Sequence, residues 1–256
     1  MTLAFVSAGL IGALFLASVL LINVWQLSPL GAAAVLVVIP LATVVTERLA
    51  QRRAAPAAAA ARAVVLAVGL VFLALISHRQ LALALMALGL CGAGLGLAFP
   101  ALTRVALETR GPLVARAART VAAREGGLVL GLVLLTPVLV SQLNAAPGRA
   151  IPQVTGAIID APISPGTKFE LGASLAAADA RAPPSQLPDF GASFTRAAAG
   201  QSAATTRHLA ELELQVQGIV QRAVTRSFRE PLLLCALLSL LAPAPLAYGT
   251  HRSRRE

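Results

Sequence analysis

PLGAAAVLVVIPLATVVTERLAQRR, residues Pro29 to Arg53, opens on a Ser28-Pro29 turn signal and carries no charge before Glu47. Arg48, Arg52 and Arg53 then follow closely. In water such a run would be a buried core helix with a basic end. In a bilayer it is a span that stops where positive charge stays on the cytoplasmic side. The second reading orders the rest of the chain.

Composition points the same way. The chain has 256 residues, 57% hydrophobic and only 12% charged, with mean hydropathy +0.78. Soluble domains carry about 25% charged residues. A formal charge of +10 would suggest nucleic acid in a soluble protein. Here the arginines sit mostly in short segments between apolar runs, and no aromatic side chains are interleaved with them to stack on bases. Cys91 and Cys235 both lie in apolar runs and read as small hydrophobes between helices.

Working outward, Leu3 to Val24 is an uncharged first span. It lacks a basic n-region and exceeds the usual h-region of a signal peptide. Asn23, Trp25 and Gln26 close it as an interfacial cluster, with the single Trp placed at headgroup depth. The third span is Ala63 to Ser77 and the fourth Leu81 to Leu102, where Gly92, Gly94, Gly96 and Pro100 suggest close helix packing and a bend. Thr103 to Arg124 reads as a surface helix broken at Gly111-Pro112. The fifth span, Gly126 to Leu143, contains Pro137, which makes Thr136 and Pro137 candidates for a cavity wall. From Asn144 to Glu230 the chain turns polar and rich in Ala, Pro, Gly and Ser. It holds a capped helix starting at Ser164 and an amphipathic helix over Thr206 to Phe228. That helix could pack within its own segment, on a partner or on the membrane surface. The sixth span is Pro231 to Tyr248, followed by a basic tail.

Six alternating spans put the arginines of the Glu47–Arg62 loop, of Thr103–Arg124 and of the tail on one side. By the positive-inside rule that side is cytoplasmic, with both termini. The expected fold is therefore an all-α polytopic membrane protein. It comprises a six-helix bundle with residues 1–143 and 231–256 around a large extracytoplasmic, partly helical insertion at 144–230.

Three stretches carry a likeness to a known family: LINVWQLSPLGAAAVLVVIPLATVVTERLAQRR, LGLCGAGLGLAFPALTR, and AAREGGLVLGLVLLTPVLVSQL followed by the APISPGTKFEL segment. Across almost its whole length the chain resembles the C-terminal half of a major facilitator superfamily transporter, most like bacterial drug:proton antiporters. The resemblance implies half of a major facilitator fold in the bacterial inner membrane, built from two inverted three-helix repeats. It implies export of small amphipathic compounds by alternating access, coupled to protons. The partner would be an N-terminal six- or eight-helix half, upstream in the same gene or a separate chain, or a second copy. In the family's cytoplasmic loop motif Glu47 would be the acid and Arg48, Arg52 and Arg53 the bases. Thr43 and Ala50 stand where its glycines belong, so the motif is degenerate, and a positive-inside anchor accounts for the same arginines.

No catalytic constellation is present: His78, His208 and His251 are scattered, and no phosphate loop occurs. No metal or cofactor is expected. Glu125 is a candidate for coupling, although the start of the fifth span suits an acid through the helix dipole alone. By resemblance Asn23, Gln26, Thr136, Ser141 and Gln142 are candidates for a substrate pathway, with interfacial capping the plainer role for each. The rival classes are a membrane protein whose external segment binds a partner, and a nonfunctional transporter fragment.

Overall fold

The computed structural model describes residues 2–50, 56–76, 79–107, 112–181 and 190–241. Those residues are all-helical, with no strand among them. Arg52, Arg53, His78, the prolines at 183, 184 and 188, and the tail lie outside them.

α1 (Thr2–Val19) continues into a widened π turn, Leu20–Val24. After the turn at Gln26–Ser28, Ser28 caps α2 (Pro29–Leu36) by accepting from the Gly31 amide. The chain then passes Val37 into α3 (Val38–Ala50). The joint has a simple cause: Pro40 has no N–H to donate to the Leu36 carbonyl, so the ladder loosens one turn before it. α4 spans Pro56–Leu75 and α5 Leu81–Leu107, with Pro100 inside. α6 (Leu113–Asn144) starts after Pro112 and holds Pro137. Four shorter helices follow: α7 (Ala146–Asp160), α8 (Pro165–Arg181), α9 (Gly191–Ala198) and α10 (Ala203–Ser227). The last is α11 (Arg229–Leu241).

Four helical stretches are long and apolar enough to cross a membrane: Thr2–Val24, Pro29–Leu49, Leu81–Arg104 and Leu113–Asp160, the last taking in both α6 and α7. Thr2–Val24 has 23 residues. At 1.5 Å per residue it rises roughly 34 Å, against a hydrocarbon core of about 30 Å. The expected third span is shorter, an apolar helix over Ala63–Leu75, and α11 ends among the described residues at Leu241.

Glycines set how these helices meet. A Cβ at Gly127 would run into the Ala4 backbone, one at Gly131 into Ala8, and Gly12 faces Leu135. The numbers rise together, so α1 and α6 are parallel. Gly92 lies on Ile39 and Ala42, and Gly96 on Thr43 and Thr46, which makes α3 and α5 parallel too. Gly69 meets Cys91 and Gly94 meets Leu66, so α4 and α5 are antiparallel; Gly9 meets Ser239 and Gly12 meets Cys235, so α1 and α11 are antiparallel. One buried cluster draws on α1, α3, α4, α5, α6 and α11, including Leu16, Leu66, Leu88, Leu135 and Leu232. These directions gather Arg48, Arg104, Arg116, Arg119 and Arg124 at the end where α1 begins. α7 to α10 stand at the opposite end.

α7 to α10 carry a second core of their own: Ile158, Leu171, Leu175, Phe190, Phe194, Leu209, Leu212 and Val216. α10 also packs on α7 through Ala150, Ile219 and Ala223. The helix expected from Ser164 starts there, with the Ser164 hydroxyl taking the Thr167 amide at 3.2 Å.

One sequence expectation needs correction. The segment Thr103 to Arg124 is not a separate surface helix. Its first residues extend α5 to Leu107, and the rest from Leu113 forms the first turns of α6, continuous through Gly126 and Gly127. Trp25, expected at headgroup depth, stands at the far end of α1 covered by protein, at 0% exposure. α10 packs over the π turn, and Gln221 Nε2 donates to the Val24 carbonyl at 3.2 Å.

Candidate functional site

The polar side chains that come together most closely lie where α6 passes into α7 and α10 into α11. Gln142 and Arg149 are seven residues apart, two turns along one nearly continuous helical path, and therefore share a side. Ser227 and Glu230 are three apart across the second joint. Arg149 Nη2 donates to Gln142 Oε1, and Gln142 Nε2 donates to Glu230 Oε2. Ser227 Oγ donates to the Gln142 carbonyl at 3.0 Å, and Arg149 Nη1 approaches the same hydroxyl at 3.5 Å. The Gln142 side chain thus ties together two chain joints, reaching Glu230 88 residues away.

Of the sequence candidates, Gln142 enters this network. Ser141, beside it, is exposed. Thr136 is exposed on the side of α6 away from α1, and its hydroxyl donates back to the Leu132 carbonyl at 2.8 Å. Asn23 lies in the π turn, where its carbonyl accepts from Gln26 Nε2 at 2.9 Å. Gln26 takes a left-handed backbone, φ 53°. That conformation is unusual for a residue with a Cβ, and it lets the chain turn from α1 toward Pro29 without glycine. Arg149, Ser227, Glu230 and Gln221 were not singled out from sequence, although the seven-residue spacing from Gln142 to Arg149 was there to read.

At the arginine-bearing end, Glu47 is half-buried and Arg48 exposed, about one turn beyond Thr43 and directly after Thr46. Thr43 Oγ1 donates to the Ile39 carbonyl at 2.8 Å and reaches the Gly92 carbonyl at 3.0 Å. Thr46 Oγ1 reaches Ala42 at 2.7 Å and Ala93 at 3.4 Å. Thr43, which stands where the resembled loop motif has a glycine, thus joins α3 to α5 by a hydrogen bond. Glu125 is exposed, and because α6 starts at Leu113 it is not in a first turn. The dipole at the helix start decays within that turn and does not reach it. Its neighbour Arg124 lies over the Phe99 ring, 5.9 Å from the centroid. Among the described residues, no group of three His, Cys, Asp or Glu is placed to hold a metal ion.

No protein-family model, curated protein or solved structure matches the chain.

The network makes a specific prediction. Arg149→Ala should cost about 1 kcal/mol, the range of a partly exposed charge-assisted hydrogen bond. In a double-mutant cycle with Ser227→Ala the two losses should couple by about 0.5 kcal/mol or more. Additive losses in detergent unfolding curves would mean that the joint is not held by these side chains.

Proposed function

We propose that the chain is one six-helix half of a major-facilitator-type transporter, exporting small amphipathic compounds by alternating access with proton coupling. The observation that carries the reading is an exchange symmetry in the packing. Take α1, α2–α3 and α4 as one group and α5, α6 and α11 as the other. Swapping the groups turns the parallel pair α1–α6 into the parallel pair α5–α3, and the antiparallel pair α4–α5 into the antiparallel pair α11–α1. The α4–α11 contact maps onto itself. Exposure follows the same exchange: the apolar windows of the first and third long spans are 56% and 50% buried, and those of the second and fourth 11% and 22%. Two inverted three-helix repeats give this pattern, and such repeats build each half of a major facilitator carrier.

The two least buried spans, α3 and α6, are partners in the exchange. In this reading they face the other half of the carrier, and the substrate site lies between the halves near the midplane. Thr136 then borders that site, while Gln142 holds the outer end of the same helix. The arginine-bearing end is cytoplasmic, because basic residues in short loops are retained there. Glu125, on the exposed part of α6, is the carboxylate nearest to a coupling role.

A second reading has its own support. The separate core of α7 to α10, with Phe169 83% exposed and Leu214 71% exposed, suits an external partner-binding module on a membrane anchor. One experiment separates the two. Expressed alone, the chain should insert in the membrane and confer no drug resistance; joined to an amino-terminal bundle, it should confer resistance. Resistance from the isolated chain overturns the half-carrier reading, and no resistance from any joined pair favours the anchor.

A further inference from the structure

Two hydrogen bonds fix the level at which α10 passes into α11. Gln221 Nε2 reaches the carbonyl of Val24, the last residue of the first apolar span, and Ser227 Oγ reaches the carbonyl of Gln142, two residues before α6 ends at Asn144 and where its uncharged apolar run gives way to polar sequence. Residues 221–230 are therefore pinned where two membrane-length helices end. Headgroups occupy about 5–8 Å on either side of the hydrocarbon core, so this is their depth. Arg222, Arg226 and Arg229 fall within the segment at spacings of four and three, one side of a helix. The helical pattern carries across the joint, with the Leu232 amide bonded to the Phe228 carbonyl at 3.1 Å. All three arginines are exposed, and among the described residues none has a carboxylate within 4.0 Å. The acid within this segment, Glu230, is occupied by Gln142.

We propose that Arg222, Arg226 and Arg229 form a phosphate-binding stripe for anionic phospholipid headgroups in the leaflet beside α7 to α10. Guanidinium groups match phosphate oxygens in a planar fork, and each is worth about a fivefold gain in association when held at a charged lipid surface. The stripe needs only that the chain sits in a membrane, and it stands whether or not the bundle transports. Bound lipid would hold α10 against the ends of α1 and α6, adding to the two hydrogen bonds that already do so.

The chain carries its own probe. Trp25 is the only tryptophan, is fully buried, and follows Val24 at this same end, far from the other arginine cluster. The full chain in phosphatidylcholine nanodiscs is titrated with dansyl-labelled phosphatidylglycerol, following energy transfer from Trp25. R226Q should raise the half-saturating fraction about fivefold and R222Q/R226Q/R229Q at least tenfold. R226K, which keeps the charge and loses the planar fork, should fall between wild type and R226Q, and dansyl-phosphatidylcholine should show no difference among variants. Unlabelled phosphatidylglycerol should displace the probe and inorganic phosphate should not. Equal half-saturation in wild type and triple variant overturns the proposal, and displacement by inorganic phosphate overturns the lipid as the ligand. If circular dichroism shows that the triple variant has lost its helices, R226Q alone decides: no change in its half-saturation overturns the stripe.

Discussion

Gly127→Ala should destabilise the chain by about 2–3 kcal/mol, while Gly126→Ala, one residue earlier, should leave it unchanged or stabilise it by up to about 1 kcal/mol. The contrast follows from what each new methyl group would meet. At Gly127 a Cβ would fall inside contact with the carbonyl oxygen of Ala4, and 2.7 Å from its Cα. Those are backbone atoms of a neighbouring helix and cannot swing aside, so α1 and α6 must part. Forced overpacking of this kind costs typically 1–3 kcal/mol. The loss should lie at the upper end, because Gly131 and Leu135 continue the same seam and would lose contact with it. At Gly126 nothing lies within 4 Å, so the substitution changes only backbone freedom, where alanine is favoured over glycine by about 1 kcal/mol in a helix. Unfolding in mixed micelles, followed by helical signal, measures both. Equal effects at the two positions would mean that α1 and α6 do not touch along this seam. Gly94→Ala, whose Cβ would strike the Leu66 backbone, should behave like Gly127→Ala at the α4–α5 contact.

The same glycines show what the sequence could and could not reveal. Apolar runs broken by turn signals marked the long helices well, since burial in lipid demands uninterrupted hydrophobic length. The Gly92–Gly96 spacing suggests a close approach, but only the fold shows that its partner is α3 and that Gly94, half a turn away, serves α4 instead. The apolar run begins at Gly126, after the charges of Arg124 and Glu125, and glycine is a poor helix former. Alignment with Ala4 compensates for that propensity, so α6 runs through. α7 was hidden by Pro147 and Pro152, although Ala150, Val154, Ala157 and Ile158 keep a helical period beneath them. The burial of Trp25 had no local signal. The helix packed on the neighbouring π turn bonds to Val24 from Gln221, 197 positions later, and no window on the sequence spans that distance. The Gln142 network was obscured for the same reason: its partners belong to two joints far apart in the chain.

Phe169→Cys should react with a membrane-impermeant maleimide in intact cells, and Val114→Cys should stay silent until the membrane is opened. Both positions stand clear of the protein, at 83% and 81% exposure, so a difference between them reports the membrane and not packing. Phe190, although in the same segment as Phe169, is buried at 8% and would be shielded on either side. The native thiols supply a quiet background, because Cys91 and Cys235 are both at 0% exposure inside apolar helices. The expected contrast is close to all-or-none, since a charged reagent crosses the bilayer core very slowly. Its direction rests on charge: α6 begins with Arg116, Arg119 and Arg124 beside Arg48 and Arg104. Helix insertion leaves such an end on the cytoplasmic face, while long polar segments translocate largely regardless of their charge. Reaction at 114 with silence at 169 would invert the molecule and move α7 to α10 into the cytoplasm. The lipid stripe would then meet the cytoplasmic leaflet, where anionic headgroups are abundant. Reaction at both positions in intact cells would mean that α6 does not cross, and the proposed repeat reading, which needs α3 and α6 to cross in opposite directions, would fall with it.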